Sequence, residues 1–311
     1  MDHILLIQGD SNRHIGLFRD LENVNGIDVM TFPNHISLAR KAMTRVSADA
    51  AYMLALKEQK IKRNYKRAVV VDTALGRMSR HCVDNLRSNV DELNVLILNS
   101  FDSASPSFTP VRERLSWFAE SEIFTFDPVD AERFGYNYFG LHYYSQHSVG
   151  SRASSDYDCY FVGGVKGGRG SLIYDLFLHL DSMGVNALFE CSKLGQRIDV
   201  SACPGIKWVN RGWQPYEAVL EKCNSSKCVI EILQEGQHAQ SIRYFEAVCM
   251  NKKLLTTNNR VVELPFYDPA FMKVFHDPSE VDIDWLEDGA MPDYGYDGSF
   301  SPRNSRLFQF E

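Results

Sequence analysis

Apolar runs of strand length alternate with apolar stripes of helical spacing along this chain, most clearly between Lys227 and Asn258. Cys228–Leu233 is short, apolar and rich in β-branched residues, which predicts a buried strand. After a polar turn, 239–250 carries apolar residues near helical spacing, and Lys253–Thr257 predicts the next strand. This is the order of a βαβ unit, whose parallel strands place the polar loop at the carboxyl edge of a sheet. Ligands of open α/β sheets bind at that edge.

The first half repeats this alternation and predicts five strands separated by helical tracts. The strands are His3–Ile7, Gly26–Met30, Ala68–Asp72, Leu93–Leu98 and Glu122–Phe126. Helices are predicted over about 38–62 and 73–87. Alternating strands and helices are typical of a parallel doubly wound sheet.

The second half restarts the alternation after a Ser/Gly-rich stretch, 148–155, which is the best linker candidate. Its further predicted strands are Asp158–Val162, Val185–Glu190 and Ile206–Val209. A length of 311 residues suits two domains of about 150 residues each. We therefore predict an α/β protein with two Rossmann-like domains facing across a cleft, residues 1–150 and 151–311. Roughly the last 15 residues are free to pack back on the first domain.

Composition and charge argue against several classes of protein. The formal net charge of −7 argues against a nucleic-acid partner, whose binding protein usually presents a basic surface. The seven cysteines are scattered without a C-x-x-C pair, as expected for reduced thiols and not for a disulfide framework or a zinc site. The N-terminus enters a strand without a basic leader, and no apolar run approaches the roughly 18 residues of a membrane span. We expect a cytoplasmic protein.

A basic tract at 57–67 has two interpretations. It is either the solvated end of a helix, with cations placed favourably near the helix C-terminus, or a patch that contacts anionic lipid or a lipid-linked phosphate. The second interpretation implies peripheral contact with the inner face of the membrane.

A glycine-rich loop follows the strand that opens the second half. Gly163 and Gly164 allow close backbone approach to an anion, and Lys166 and Arg169 add positive charge. The loop matches neither the dinucleotide G-x-G-x-x-G pattern nor the P-loop. The alternative is a flexible turn between strand and helix.

A second group of candidate ligand-binding residues lies in the loop and helix start of the βαβ unit. They are Glu235, Gly236, Gln237, His238, Ala239, Gln240, Ser241, Arg243 and Glu246. The backbone N–H groups of the predicted helix start, around 238–241, would suit a phosphate.

Three stretches carry a resemblance to a known family: Phe126–Ala131, Tyr157–Gly163 and Glu235–Ala247. They resemble the GT-B glycosyltransferases, which are built from two Rossmann-like domains, and in particular the bacterial capsule and lipopolysaccharide transferases that include the CgeB-like group. The resemblance covers most of the second half and the first half only loosely.

The resemblance implies roles for the candidate residues. Glu246 would hydrogen-bond the ribose of a nucleotide sugar, and Glu235 would face the donor sugar. The segment 238–241, with Arg243 or Lys166, would hold the diphosphate. The common retaining pattern is Glu-x7-Glu, whereas ten residues separate Glu235 from Glu246 here, so the stereochemical outcome stays open.

The chemistry on the two sides of the transferred sugar differs. On the donor side, a helix N-terminus with Arg or Lys can stabilise the departing diphosphate without a metal ion. We expect no metal site at the Asp-x-Asp patterns 156–158 and 282–284.

On the acceptor side, an inverting transferase needs a base. The candidates at strand ends are Asp10, which we favour, and Asp72, Asp102 and Asp127, with His14 close to Asp10 in sequence.

The sequence thus predicts a metal-independent glycosyltransferase that needs no cofactor beyond its nucleotide-sugar substrate. The acceptor would be a surface polysaccharide or a glycolipid. The alternatives are a nucleotide-sugar epimerase or hydrolase of the same fold and a non-catalytic subunit that binds nucleotide sugar or glycan. As an exposed site residue, Glu246 should tolerate replacement by alanine with little change in melting temperature.

Overall fold

The computed structural model describes residues 3–9, 16–32, 46–58, 64–102, 108–146, 155–165, 168–192, 205–209 and 215–310. The chain divides into two compact units, the first formed by 1–146 with 298–311 and the second by 147–297. Each unit contains a six-stranded sheet in which all paired strands are parallel. The prediction of an α/β protein with two Rossmann-like domains is confirmed.

The sheet of the first unit has the order β2-β1-β3-β4-β5-β6. Its strands are β1 (Ile4–Gln8), β2 (Ile27–Thr31), β3 (Tyr65–Val71), β4 (Val90–Ile97), β5 (Ile123–Thr125) and β6 (Asn137–Tyr138). Every residue of β1 is buried, as expected for a central strand that is covered on both faces. The strand order reverses between β1 and β3, because the chain first adds β2 on one side of β1 and then returns to the other.

The helices of the first unit cover this sheet. They are α1 (Ala48–Glu58), α2 (Asp72–Leu75), α3 (Arg80–Arg87), α4 (Thr109–Leu115) and α5 (Pro128–Phe134). The single helix predicted over 73–87 is wrong, since α2 ends before Gly76 and α3 begins anew after Ser79. The Ser79 hydroxyl accepts a hydrogen bond from Cys82 N (3.1 Å), and this capping favours a fresh helix start.

The sheet of the second unit has the order β12-β11-β10-β7-β8-β9. Its strands are β7 (Tyr157–Gly164), β8 (Ala187–Ser192), β9 (Lys207–Trp208), β10 (Ser226–Glu231), β11 (Lys253–Thr256) and β12 (Met272–Val274). The chain runs outward from β7 to β9 and then returns to the other side of β7 to add β10 to β12. The strand order therefore reverses between β7 and β10, which makes their carboxyl ends the expected ligand site.

Four α-helices accompany this second sheet in the described part of the chain. They are α6 (Arg169–Ser182), α7 (Tyr216–Asn224), α8 (Ile242–Cys249) and α9 (Ile283–Glu287). The apolar side of α6 packs with the odd-numbered residues of β7 in one core, which includes Phe161 and Leu176. Short 3-10 helices elsewhere span Arg19–Leu21, Glu120–Glu122, Asn259–Glu263, Pro278–Glu280, Pro302–Asn304 and Arg306–Phe308.

The C-terminal segment 298–311 belongs to the first unit. Phe308 is buried there, and its ring meets Phe18 edge to face at a centroid distance of 6.2 Å. Earlier in the segment, Phe300 O accepts a hydrogen bond from Tyr144 N (3.2 Å). The segment is thus part of the first unit's core.

Arg67, the last residue of the basic tract, is used in this packing. Its guanidinium pairs with Glu92 at 2.6 Å, and its Nη1 donates to the carbonyl oxygens of residues 306, 307 and 309. Lys57 is exposed, whereas 59–63 lie outside the described residues. At least one cation of the tract therefore does not lie on a solvated face.

Within the described ranges, no helix combines the length and the apolar character that crossing a bilayer requires.

Phe308→Ala should lower the free energy of unfolding by about 3–5 kcal/mol, because it removes a buried aromatic ring from the first unit. Phe310→Ala is the matched control, since Phe310 is 41% exposed and should change stability by less than about 1 kcal/mol. Chemical denaturation of both variants measures the difference. Equal effects would contradict the assignment of the C-terminal segment to this core.

Candidate functional site

The candidate site lies at the carboxyl ends of β7 and β10, which pair directly, with Cys159 opposite Cys228. The glycine-rich loop follows β7, and the loop 232–241 follows β10. The structure brings these two loops together, since a Cβ atom built on Gly168 would lie 3.9 Å from Glu235 Oε2. Lys166 lies outside the described residues.

Arg169 ties the two strand ends together. Its Nε and Nη2 donate to Gly164 O at 2.9 and 2.6 Å, and its Nη1 donates to Ile232 O at 2.7 Å. Burial lowers the pKa of Arg169 to about 10, which leaves the group charged at neutral pH. Arg169 therefore positions both loops from inside the unit. Its predicted contact with a diphosphate stays a prediction.

The glycines of the loop are explained in part by packing around Arg169. A Cβ atom at Gly163 would lie 2.7 Å from Arg169 Nη2 and would displace the guanidinium from this position. At Gly170, a Cβ atom would lie 3.0 Å from Val165 Cγ1, which indicates close contact between helix and strand. The glycines of this loop therefore make room for the side chains of Arg169 and Val165, in addition to forming a turn.

The loop after β10 is closed by its own polar groups. Gly236 adopts a left-handed conformation with φ of 74°, which favours glycine at this turn. Gln237 N donates to Gln234 O at 3.0 Å, and Gln237 Nε2 donates to Ala239 O at 3.0 Å. The Gln237 side chain therefore shapes the loop.

Glu235 and His238 are the exposed polar side chains of this loop, whereas Ala239 and Gln240 are buried. Among the residues that the structure describes, none donates a hydrogen bond to the Glu235 carboxylate. This carboxylate beside Gly168 is the acidic group that the site presents at its surface.

Helix α8 begins at Ile242, three residues later than its predicted start at 239. Ser241 is its N-cap and accepts a hydrogen bond from Arg243 N at 3.2 Å. The N–H of Ser241 donates to Glu231 Oε1 at 2.6 Å. The expectation of a free helix-start amide at Ser241 is therefore wrong, because the protein's own carboxylate occupies it.

Glu231, the last residue of β10, is a buried residue that the sequence analysis missed. Its Oε2 accepts a hydrogen bond from Thr256 Oγ1 at 2.6 Å, so one carboxylate links β10, β11 and the start of α8. Burial raises the pKa of Glu231 above its ordinary value. The available signal was a carboxylate inside the apolar run Cys228–Leu233. A charge at a buried position needs hydrogen-bond partners, which indicates a structural or functional role.

Glu246 is fully buried in the second unit, so the expectation of an exposed residue is wrong. Its Oε2 pairs with Arg243 Nη1 at 2.6 Å, and its Oε1 accepts a hydrogen bond from Tyr216 OH at 2.7 Å. Burial alone would lower the pKa of Arg243, but the Glu246 carboxylate reverses this and the net pKa is raised. The ion pair lies within α8, and the Tyr216 hydroxyl links it to α7. The predicted contact of Glu246 with a ribose stays a prediction.

The acceptor-side candidates of the first unit have structural partners where they are described. Asp72 accepts hydrogen bonds from Leu98 N at 2.9 Å and from the Asn99 side chain at 2.8 Å. Asp102 pairs with Arg133 at 3.0 Å.

Asp127 is a helix cap. It accepts a hydrogen bond from Val129 N at 3.0 Å as the N-cap of α5, and it also accepts one from the Ser100 hydroxyl. Asp10 and His14 lie outside the described residues.

The Asp-x-Asp patterns also have structural roles in the second unit. Asp158 pairs with Lys227 at 2.7 Å, and Asp282 pairs with Lys273 at 3.1 Å. Asp282 caps α9 as well, accepting a hydrogen bond from Trp285 N.

Glu246→Ala should lower the free energy of unfolding by about 3–5 kcal/mol, because it leaves the buried Arg243 without its partner. The matched control is Glu263→Ala, which breaks an exposed pair with Arg260 at the same sequence spacing and should cost less than about 1 kcal/mol. Urea denaturation separates the two. Similar small losses for both variants would contradict the buried pair.

No protein-family model matches the chain, and no curated protein matches its sequence. Solved structures do match. The T4 phage protein BGT, in complex with its UDP-glucose substrate, is 13% identical over 93% of this chain and 89% of that chain, with a TM-score of 0.51.

Two further matches have lower TM-scores. The apo form of the lipopolysaccharide outer core galactosyltransferase WaaB is 11% identical over 99% of this chain and 96% of that chain, with a TM-score of 0.46. The glycosyltransferase SnogD from Streptomyces nogalater is 12% identical over 93% and 91% of the two chains, with a TM-score of 0.43.

At these identities the likeness concerns the fold. The match to BGT extends over 93% of the chain and hence includes residues of both units, and each unit has a parallel, doubly wound sheet. The chain has the fold of the GT-B glycosyltransferases, with two Rossmann-like domains.

Proposed function

We propose that the chain is a glycosyltransferase that binds a nucleotide-sugar donor at the carboxyl ends of β7 and β10. The observation that carries the proposal is the reversal of strand order between these two strands, with the glycine-rich loop and the loop 232–241 meeting there. The GT-B fold of the chain supports the reaction class, since UDP-glucose is the substrate of BGT, the structural neighbour with a TM-score of 0.51.

The donor would be oriented by the charges at this edge. Glu235 is exposed and negative, so it would repel a phosphate and suits the hydroxyl groups of a sugar. We propose that Lys166 and His238 bind the diphosphate, because amine and imidazole side chains supply nitrogen donors. Departure of the nucleotide develops charge on the diphosphate, and positioned donors of this kind would stabilise it without a metal ion.

The acceptor-side base would be Asp10. The observation in favour of Asp10 is that Asp72, Asp102 and Asp127 all hold structural hydrogen bonds or ion pairs. Asp10 also follows Gly9 at the end of β1, where the strand order of the first unit reverses. A carboxylate there would take the proton of an acceptor hydroxyl.

The acceptor we propose is a saccharide or a lipid-linked saccharide, as in capsule or lipopolysaccharide biosynthesis. The net charge of −7 disfavours a nucleic-acid acceptor. Val46, before α1, is 88% exposed, and Met53, within α1, is 54% exposed. The exposed Lys57 lies one turn beyond Met53. Exposed apolar residues beside a cation favour peripheral contact of the first unit with a membrane surface.

A thermal-shift panel of UDP, GDP, CMP, dTDP and NAD, with and without magnesium, tests the proposal. One nucleoside diphosphate should stabilise the chain without magnesium, by about 2.7 kcal/mol at a hundredfold excess over its Kd. Stabilisation that requires magnesium would contradict the proposal that the donor binds without a metal ion. A shift from no nucleotide would favour a glycan-binding protein.

The same thermal-shift measurements on the variants Gly168→Asp and Gly168→Ala test where the nucleotide binds. Gly168 is the N-cap of α6 with φ of −66°, and a Cβ atom there makes only ordinary contact, so both variants should fold. The added carboxylate of Gly168→Asp should abolish the nucleotide shift by repelling the diphosphate, whereas Gly168→Ala should keep it. An undiminished shift in Gly168→Asp would contradict the proposed location.

A further inference from the structure

Two segments of the second unit, 264–271 and 291–297, present aromatic side chains at its surface. We call these residues the aromatic surface: Phe266, Tyr267, Phe271, Tyr294 and Tyr296. Each of them is partly exposed, and no residue of 262–271 is buried. Large apolar side chains that stay together at a surface mark a place where a ligand or a partner binds.

Ring contacts join the two segments. Phe266 meets Tyr296 edge to face at a centroid distance of 5.8 Å, and Phe271 meets Tyr294 in the same way at 6.2 Å. Such contacts between aromatic rings fix the rings relative to each other. The two segments therefore form one surface.

The aromatic surface lies away from the proposed donor site. The Tyr294 hydroxyl donates to Lys252 O at 3.0 Å, and Phe271 O accepts a hydrogen bond from Leu254 N at 2.9 Å. Lys252 directly precedes β11, so these contacts lie at the amino end of that strand. Because β11 runs parallel to β10, this is the edge of the sheet opposite to the donor site.

Phe266 adopts a backbone conformation that is rare for a bulky residue. Its φ of 65° lies in the left-handed region. The turn around it is held by hydrogen bonds from the Tyr244 hydroxyl to Pro265 O and from Tyr267 N to Leu264 O, the latter at 3.3 Å. Glycine would fit this turn without strain, so a phenylalanine here indicates a use for its ring.

The charges of the two segments restrict the ligand. The segments contain Asp268, Asp293 and Asp297 but no lysine, arginine or histidine, so a polyanion would be repelled. Aromatic rings pack against C–H groups, and carboxylates accept hydrogen bonds from hydroxyl groups. A hexose presents both, with C–H groups on the faces of its ring and hydroxyl groups around the edge.

We infer that the aromatic surface binds an uncharged stretch of the acceptor saccharide, apart from the site where the sugar is transferred. The choice of ligand rests on the proposed function. A saccharide held at a second site has a high effective concentration at the first. The surface would thus keep a growing chain on the enzyme between transfers.

Calorimetric titration with maltohexaose, cellohexaose, mannohexaose and chitohexaose tests this inference. At least one of them should bind to the wild-type chain. Tyr267→Ala and Tyr296→Ala should each weaken that binding by roughly two- to tenfold, as expected for one lost aromatic contact. Tyr267→Phe should retain it, because the ring remains. Both alanine variants should keep the stabilisation by nucleotide, because the aromatic surface lies outside the donor site.

Tyr138→Ala is the matched control. Tyr138 is 46% exposed in β6 of the first unit, so its loss should leave saccharide binding unchanged. Tyr267 is only partly buried, so Tyr267→Ala should melt close to wild type, which separates loss of binding from loss of folding.

The inference would be overturned if none of the four hexasaccharides binds, or if both alanine variants bind as tightly as wild type. Tighter binding of a hexalysine peptide than of any hexasaccharide would also overturn it, and would assign the surface to a basic protein segment. None of these results affects the nucleotide shift, on which the proposed function is judged. Saccharide binding without any nucleotide shift would refute the proposed function and leave a saccharide site.

Discussion

The contact on which the second unit depends most directly is the guanidinium of Arg169 on the carbonyl oxygens of Gly164 and Ile232. Parallel strands end with carbonyl groups that the ladder does not satisfy, and here one planar cation satisfies two of them on neighbouring strands. A Cβ atom at position 163 would lie 2.7 Å from Arg169 Nη2, so glycine there leaves the guanidinium in place. The same contact fixes both loops that form the candidate site.

A second set of contacts is made by the Glu231 carboxylate at the end of β10. It accepts hydrogen bonds from Thr256 of β11 and from the N–H of Ser241, the residue before α8. Within α8, Arg243 and Glu246 form a buried ion pair, and the Tyr216 hydroxyl of α7 donates a hydrogen bond to Glu246. All three side chains are buried: Arg243 and Glu246 pair with each other, and Glu231 is hydrogen-bonded to Ser241 and Thr256. Glu235, in contrast, is exposed. The buried residues thus support the loops, and Glu235 is the side chain that would contact the donor.

The sequence allowed good prediction of the fold, because β10, α8 and β11 differ in the period of their apolar residues and the loop glycines mark the strand ends. Boundaries were less predictable, since a cap such as Ser241 moves a helix start by three residues. The burial of Glu246 could not be predicted, because Tyr216 and Arg243 surround it only after α7 and α8 pack. Glu231 was missed because its apolar neighbours made the strand pattern dominant.

The most direct test of the central claim is hydrogen–deuterium exchange of the wild-type chain with and without the nucleoside diphosphate that stabilises it. Binding at the proposed site predicts slower exchange of backbone amides in 163–170 and 232–241, with amides of the first unit's sheet unchanged. Protection confined to the first unit, or absent from both loops, would contradict the assignment of the donor site to the carboxyl ends of β7 and β10.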